Sequence, residues 1–220
     1  MSRLESRAVP DLRSDRLATA LVVLATIAVT LLASAAPPAA AAEFEITDGE
    51  LEWNVKESWR DYVTTGSQVG DGAEITGWLL DGEGNSYAKG FSFPVSSGSF
   101  DDETDTTTLQ LAGYVHFQYW CGLIEPGKCP LDTKFSDLEI EIGPGAQVLR
   151  GTHTGYHRTD PGGEIHIDEN VVLAKFDIAG ATTSFDAGQS RWSEIPTVAG
   201  PGFSIYTEST VLDETAFEYT

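Results

Sequence analysis

"EIHIDENVVLAKFDIAG" (residues 164–180) sets apolar and polar side chains on alternate positions, as in Ile165-His166-Ile167-Asp168. A period of two turns successive side chains to opposite sides of an extended chain, so this stretch reads as a half-buried β-strand. "LEIEIG" (138–143) and "AEITGWLLDG" (73–82) repeat the pattern between Gly, Pro, Asn and Asp punctuation, and the chain contains 22 glycines. Alternation bounded by turn residues predicts antiparallel strands, and the expected architecture is mainly β: two packed antiparallel sheets, sandwich-like, with one or two short helices in a single domain. No internal repeat or long low-complexity tract interrupts residues 43–220.

The main helical exception is "NVKESWRDYV" (54–63). Asn54 is placed to cap a helix and Glu57, three residues on, to reach back as in a capping box. Val55, Trp59, Tyr62 and Val63 would then form its inward stripe. A second, shorter helix is expected near "GPGFSIYTES" (200–209).

The N-terminus reads as a segment outside the fold. Arg3, Arg7, Arg13 and Arg16 precede the uncharged run "LATALVVLATIAVTLLASAAPPAAAA", the pattern of a secretory signal peptide over residues 1–42, cut after Ala42. A retained membrane anchor is the competing reading, because Leu17 to Ala35 exceeds the roughly 18 apolar residues that span a bilayer. Residues 1–42 carry four of the 13 basic and three of the 34 acidic side chains, so the rest stands at nine against 31, a net charge of −22. Such a chain repels nucleic acid and anionic membrane surfaces, and nucleic acid is excluded as a partner. Residues 43–220 are of one-domain size. Cys121 and Cys129 flank a turn marked by Pro126 and Gly127, and in an exported protein a disulfide is the expected use; a metal site would want more Cys or His nearby.

Few catalytic groupings are present. The histidines are His116, His153, His157 and His166, with no HExxH, GxSxG or phosphate-cradling glycine loop. His153 and His157 are four apart, but glycines surround them, so a loop or strand end is expected rather than a metal-binding helix face. Paired carboxylates for glycoside cleavage carry no positive signal among so many acids.

Four segments in order, "LEWNVKESWRDYV", "FSFPVSSGSFD", "LAGYVHFQYWCG" and "GFSIYTESTVLDETAF", resemble the HtaA-type haem-binding domain of actinobacterial secreted and surface proteins, from about Gly49 to Phe217. The resemblance implies a single domain of packed antiparallel sheets that binds one ferric, b-type haem for uptake or relay and is not an enzyme. It implies Tyr62 as the axial iron ligand, His116 as the histidine hydrogen-bonded to the phenol, and Ser58 and Tyr206 as contacts to the haem edge and propionates. It also implies other cell-surface haem-binding proteins or a haem transporter as partners, and a secreted or surface location. Two positions depart from the pattern: Trp120 stands where the family's "F-x-G-H-x-G" has its histidine, and Ile205 where an aromatic precedes Tyr206.

The chemistry agrees with that implication. A tyrosine ligates haem iron as its phenolate, and since the free phenol titrates near about 10 the ferric iron must favour loss of the proton. A histidine donating to the phenolate oxygen would stabilise the anion. Lys56 and Arg60, one turn apart, form a local basic pair for propionates, or else a solvated helix face. By spacing alone Tyr62 is a core aromatic and His116 a strand residue. The rival readings are a carbohydrate-binding sandwich module using exposed Trp and Tyr, an extracellular hydrolase, and a structural surface domain without ligand.

Overall fold

The computed structural model describes residues 43–220 except 124, 125, 127, 157–162 and 187. The signal peptide, its cleavage after Ala42 and the placing of His157 lie outside the described residues. Among the described residues sixteen strands and one α-helix follow in order: β1 (Glu43–Ile46), β2 (Gly49–Trp53), α1 (Glu57–Val63), β3 (Ser67–Gly70), β4 (Glu74–Ile75), β5 (Trp78–Leu80), β6 (Ser86–Ala88), β7 (Phe91–Asp101), β8 (Thr106–Leu111), β9 (Tyr114–Tyr119), β10 (Leu131–Ile142), β11 (Gln147–Gly155), β12 (His166–Phe176), β13 (Thr182–Asp186), β14 (Gln189–Ile195), β15 (Thr197–Ala199) and β16 (Thr215–Tyr219). Of the stretch 164–180, His166 to Phe176 form β12 and Ile178 to Gly180 a 3-10 turn; Ile165 and Ile167 are exposed, so its burial lies at the far end, in Leu173, Ala174 and Phe176, and "LEIEI" closes β10.

All but two of these strands belong to one sheet, whose main path runs β13-β14-β16-β2-β7-β8-β10-β11-β12-β15; β5 and β6 pair separately as a hairpin. Every pairing in the main path is antiparallel. The sheet curls at β7, which four strands share along its length: β2 and β4 over its first half, β8 and β1 over its second. On the main path its first half, Phe91 to Pro94, pairs with β2, and from Val95 onward it pairs with β8, with a register shift between Val95 and Ser97. A bulge of this kind bends a strand and raises its local twist. The consequence is measurable across the core. Phe217 of β16 and Phe176 of β12 are six strands apart in the path, about 29 Å if the sheet were flat, yet their rings are 6.5 Å apart. The two expected layers are thus two limbs of one folded sheet.

Between the limbs lie the fully buried rings of Trp53, Phe91, Phe93, Phe117, Phe135, Phe203 and Phe217. Trp53 on β2 meets Phe135 on β10 at 5.7 Å and Phe203 at 5.9 Å, and Phe117 on β9 meets Phe91 on β7 at 5.5 Å. Rings crossing in tilted and edge-on arrangements bury large apolar area, the dominant favourable term in such a fold.

The helix differs from expectation at its start. Val55 has a φ of 56°, in the left-handed region, so no helix can begin there. Asn54 gives no cap; its Nδ2 donates to the Glu214 carbonyl (3.2 Å), and α1 starts after Lys56 without a side-chain cap. Glu57, the expected capping-box partner, instead accepts from the Tyr87 hydroxyl at 2.8 Å, which raises that phenol's pKa. The cause is the chain beside it: the Val55 carbonyl accepts from Asp213 N–H, and Lys56 Nζ donates to the Val211 carbonyl (2.8 Å). These bonds tie residues 54–56 to 211–214. The inward face of α1 is accordingly Arg60 and Val63, with Trp59 half-buried and Tyr62 exposed. No second helix forms at 200–209, where turns carry the chain. Gly200 and Gly202 approach Val172 and Val171 so closely that their amides donate to the Leu173 and Val172 carbonyls, a use of backbone that competes with helical pairing.

Cys121 and Cys129 are disulfide-bonded, which closes the metal reading of that pair. Among the described residues no group of three or more His, Cys, Asp or Glu is placed to hold a metal ion, and no helix is long and apolar enough to cross a membrane.

Candidate functional site

The seven-residue helix α1 lies where β9 ends, and its exposed face opens a cleft of about 240 Å³. Trp59 and Tyr62 form the helix side of the cleft, with Trp120 beside them; Leu131, Asp132 and Thr133 enter from β10, and Ser204 and Ile205 from the turns after β15. Trp59 is held edge-on by Phe117 of the core (5.8 Å), which fixes the helix against β9. Tyr62 is one helical step further round and escapes burial, with 43% of its surface exposed.

Its ring nevertheless has aromatic neighbours on three sides: Trp59 at 5.9 Å, Tyr119 at 5.3 Å and Trp120 at 5.8 Å. Its phenol oxygen makes no hydrogen bond to the described residues, although nearby Tyr206 and Tyr87 both do. A tyrosine held by ring contacts with its hydroxyl left over is a presented oxygen. The corrected helix register produces this arrangement, since an inward stripe through Tyr62 would have buried the phenol.

Ser58 and Tyr206, 148 positions apart, are brought together: their hydroxyls are 3.2 Å from one another beside Trp59. His116 is not brought to Tyr62. On β9 the neighbours Val115 and Phe117 are fully buried, so strand alternation turns His116 to the other face. There its Nε2 donates to Asp132 Oδ1 (2.6 Å), while Gln118 Nε2 donates to Oδ2 (3.0 Å). His116 therefore reaches the cleft only through Asp132. Trp120 is the residue set against the Tyr62 ring, and its φ of 58° marks where the strand breaks off.

Lys56 and Arg60 are not a free basic pair. Arg60 is 4% exposed, its Nη2 2.7 Å from Asp213 Oδ2 and its Nη1 3.5 Å from the Ala88 carbonyl, while Lys56 is bonded to Val211. No base lines the cleft among the described residues; Asp132 is its acid.

One grouping escaped the sequence reading. His153 lies in β11, 1% exposed and packed on Phe135 at 5.6 Å. Its Nδ1 is 3.3 Å from Asp168 Oδ2, and its Nε2 is 2.9 Å from Ser204 Oγ at the cleft wall. The buried imidazole thus links a carboxylate of β12 to a hydroxyl on the cleft wall. The three residues come from β11, β12 and a turn 51 positions beyond His153. The sequence signal available was only the burial alternation of β11.

Comparison with solved structures gives matches spanning most of this chain. The N-terminal domain of HtaA from Corynebacterium glutamicum aligns with a TM-score of 0.57 and 23% identity, covering 80% of this chain and 97% of that one. The C-terminal domain of the same protein gives 0.56 and 19%, over 80% and 98%. The heme binding protein HtaB from the same organism gives 0.56 and 19%, over 82% and 96%. At these identities the likeness establishes the fold. No curated protein matches. The HtaA family model, described as Htaa, matches residues 48–218, which is most of the chain and takes in α1, the cleft and both limbs of the sheet; this chain belongs to the HtaA family.

Proposed function

We propose that this chain binds haem in the cleft beside α1, with Tyr62 as the ligand of ferric iron, and passes it on in haem acquisition without chemical change. The observation that carries the reading is the Tyr62 phenol: exposed, clasped by three aromatic rings and free of hydrogen bonds to the described residues. Membership of the HtaA family and the likeness to the heme binding protein HtaB support it.

The residues present fit the group. The donor is a hard phenolate oxygen, suited to ferric iron. The apolar faces of Trp59, Trp120 and Ile205 suit a flat macrocycle and exclude water from the bond. At about 240 Å³ the cleft is smaller than the roughly 300–1,000 Å³ of enclosed small-molecule sites, so a porphyrin would enter part-way and leave an edge in solvent, as suits a carrier. The Ser58 and Tyr206 hydroxyls stand beside Trp59 to serve the propionates. Haem supplies the iron; the chain supplies orientation, the oxygen and the apolar walls.

His116 acts in this reading through Asp132, holding the carboxylate that faces the cleft, rather than by touching the phenol. Export by a signal peptide over 1–42, a cell-surface location and transfer to another haem-binding protein or a transporter complete the proposal.

The test is the visible spectrum of the chain with added ferric haem, compared with Tyr62→Phe. The parent should show a Soret band with weak charge-transfer bands of tyrosinate ligation. Tyr62→Phe keeps the ring and its contacts, so it should fold as the parent and lose haem affinity by a factor of 100 or more, roughly the 2.7 kcal/mol of two decades. An unchanged haem spectrum in the parent ends the haem reading, and a parent-like spectrum in Tyr62→Phe moves the ligand elsewhere.

A further inference from the structure

A second cavity, of about 410 Å³, opens where strands from both limbs of the sheet come together, and it shares no residue with the Tyr62 cleft. Its apolar lining is mainly aromatic, with Ile142 and Pro144 beside the rings. Trp192 of β14 stacks on Phe217 (4.9 Å, 25°) and on Tyr219 (5.4 Å, 25°), two residues apart on β16, and Phe185 of β13 meets it edge-on at 5.7 Å. The indole is thus fixed in place before any ligand arrives. Phe185 is 70% exposed, an arrangement that contributes little to the core.

The polar lining is built and neutral but for one acid. Gln147 Oε1 accepts from the Ile178 amide at 3.1 Å, which orients the side-chain amide and leaves its NH₂ as donor. Thr107, nearly buried, is 3.3 Å from the Tyr219 hydroxyl. Asp105 adds a carboxylate acceptor, and no base is among the described lining residues. A fixed ring face flanked by oriented donors and acceptors matches a ligand with C–H faces and several hydroxyls, each able to donate and accept. An anion would meet Asp105 and a net charge of −21 for the whole chain with no base to offset them.

We propose that this cavity binds the end of a neutral glycan. It is a site separate from the Tyr62 cleft and does not depend on haem binding. The indole of Trp192 takes the sugar's C–H face, the ring of Phe185, perpendicular to it, walls one side, and Gln147, Thr107 and Asp105 take its hydroxyls.

The experiment is saturation-transfer NMR and calorimetry on the full chain with maltotriose, cellotriose, chitotriose and mannotriose as probes, and with a hyaluronan tetrasaccharide and choline as charged controls. At least one neutral probe should bind with a Kd near about 1 mM. Phe185→Ala, at an exposed position that leaves the fold intact, and Trp192→Ala should each weaken it about tenfold, the scale of a lost aromatic contact. Tyr62→Phe should leave it unchanged. The proposal is overturned if no neutral probe binds, if binding survives Phe185→Ala undiminished, or if hyaluronan or choline binds as well as the neutral sugars. Loss of haem binding in the parent would leave these outcomes untouched.

Discussion

Asp213→Asn tests what holds α1 in place. Arg60 is nearly buried, whereas Asp213 keeps 29% of its side-chain surface exposed, and the pair meets at 2.7 Å. Removing the carboxylate charge leaves a guanidinium whose other described contact is a 3.5 Å bond to the Ala88 carbonyl, and whose Nε has no partner among the described residues. Stranding a buried charge costs about 3–5 kcal/mol; because the acid is partly solvated, the lower end, about 3 kcal/mol, applies here. At about 2–4 °C per kcal/mol for a domain of this size, the Tm should fall by roughly 6–12 °C. Haem affinity should fall as well, because Arg60 and Tyr62 share seven residues of helix. The double variant Arg60→Met, Asp213→Leu should recover most of the loss, since apolar residues of similar volume commonly replace a buried pair without penalty. Urea denaturation with a common m-value measures both. A single variant within about 0.5 kcal/mol of the parent, the range of ordinary surface changes, would refute the argument that the pair anchors the helix.

The Cys121–Cys129 bridge closes a short loop next to Trp120, so replacing both cysteines by serine should cost under the roughly 3 kcal/mol of a 15-residue loop and weaken haem retention more than stability, read by denaturation and by transfer to an apo-globin. Trp120→His places an imidazole beside the Tyr62 ring and should slow haem transfer, by about 10- to 100-fold if it donates to the phenolate. His116→Ala removes only a bond to Asp132 and should change the transfer rate far less; the reverse ranking of these two would show that His116 reaches the ligand.

The histidine assignment shows how far local pattern carries. "GYVHF" has the alternation of a strand, and the strand is there, but alternation names two faces without saying which one meets the helix. Phe117 packing on Trp59 settles that and sends His116 to Asp132. The same holds for α1. Spacing placed Val55, Trp59, Tyr62 and Val63 on one helical face, and the left-handed backbone at Val55, pinned to Asp213, moved the start of the helix and put Arg60 inward.

By itself the sequence determined the mainly β class, the disulfide partners, a helix near Trp59 and the family, because each is written in neighbouring residues or ordered motifs. Tertiary structure alone decided that the two layers are one curled sheet, that Arg60 is buried against a residue 153 positions away, that Tyr62 keeps its hydroxyl free of bonds to the described residues, and that His153 reaches the cleft through Ser204. Those outcomes depend on contacts between distant segments, whose partners and faces are set only when the bulge in β7 folds one limb of the sheet onto the other.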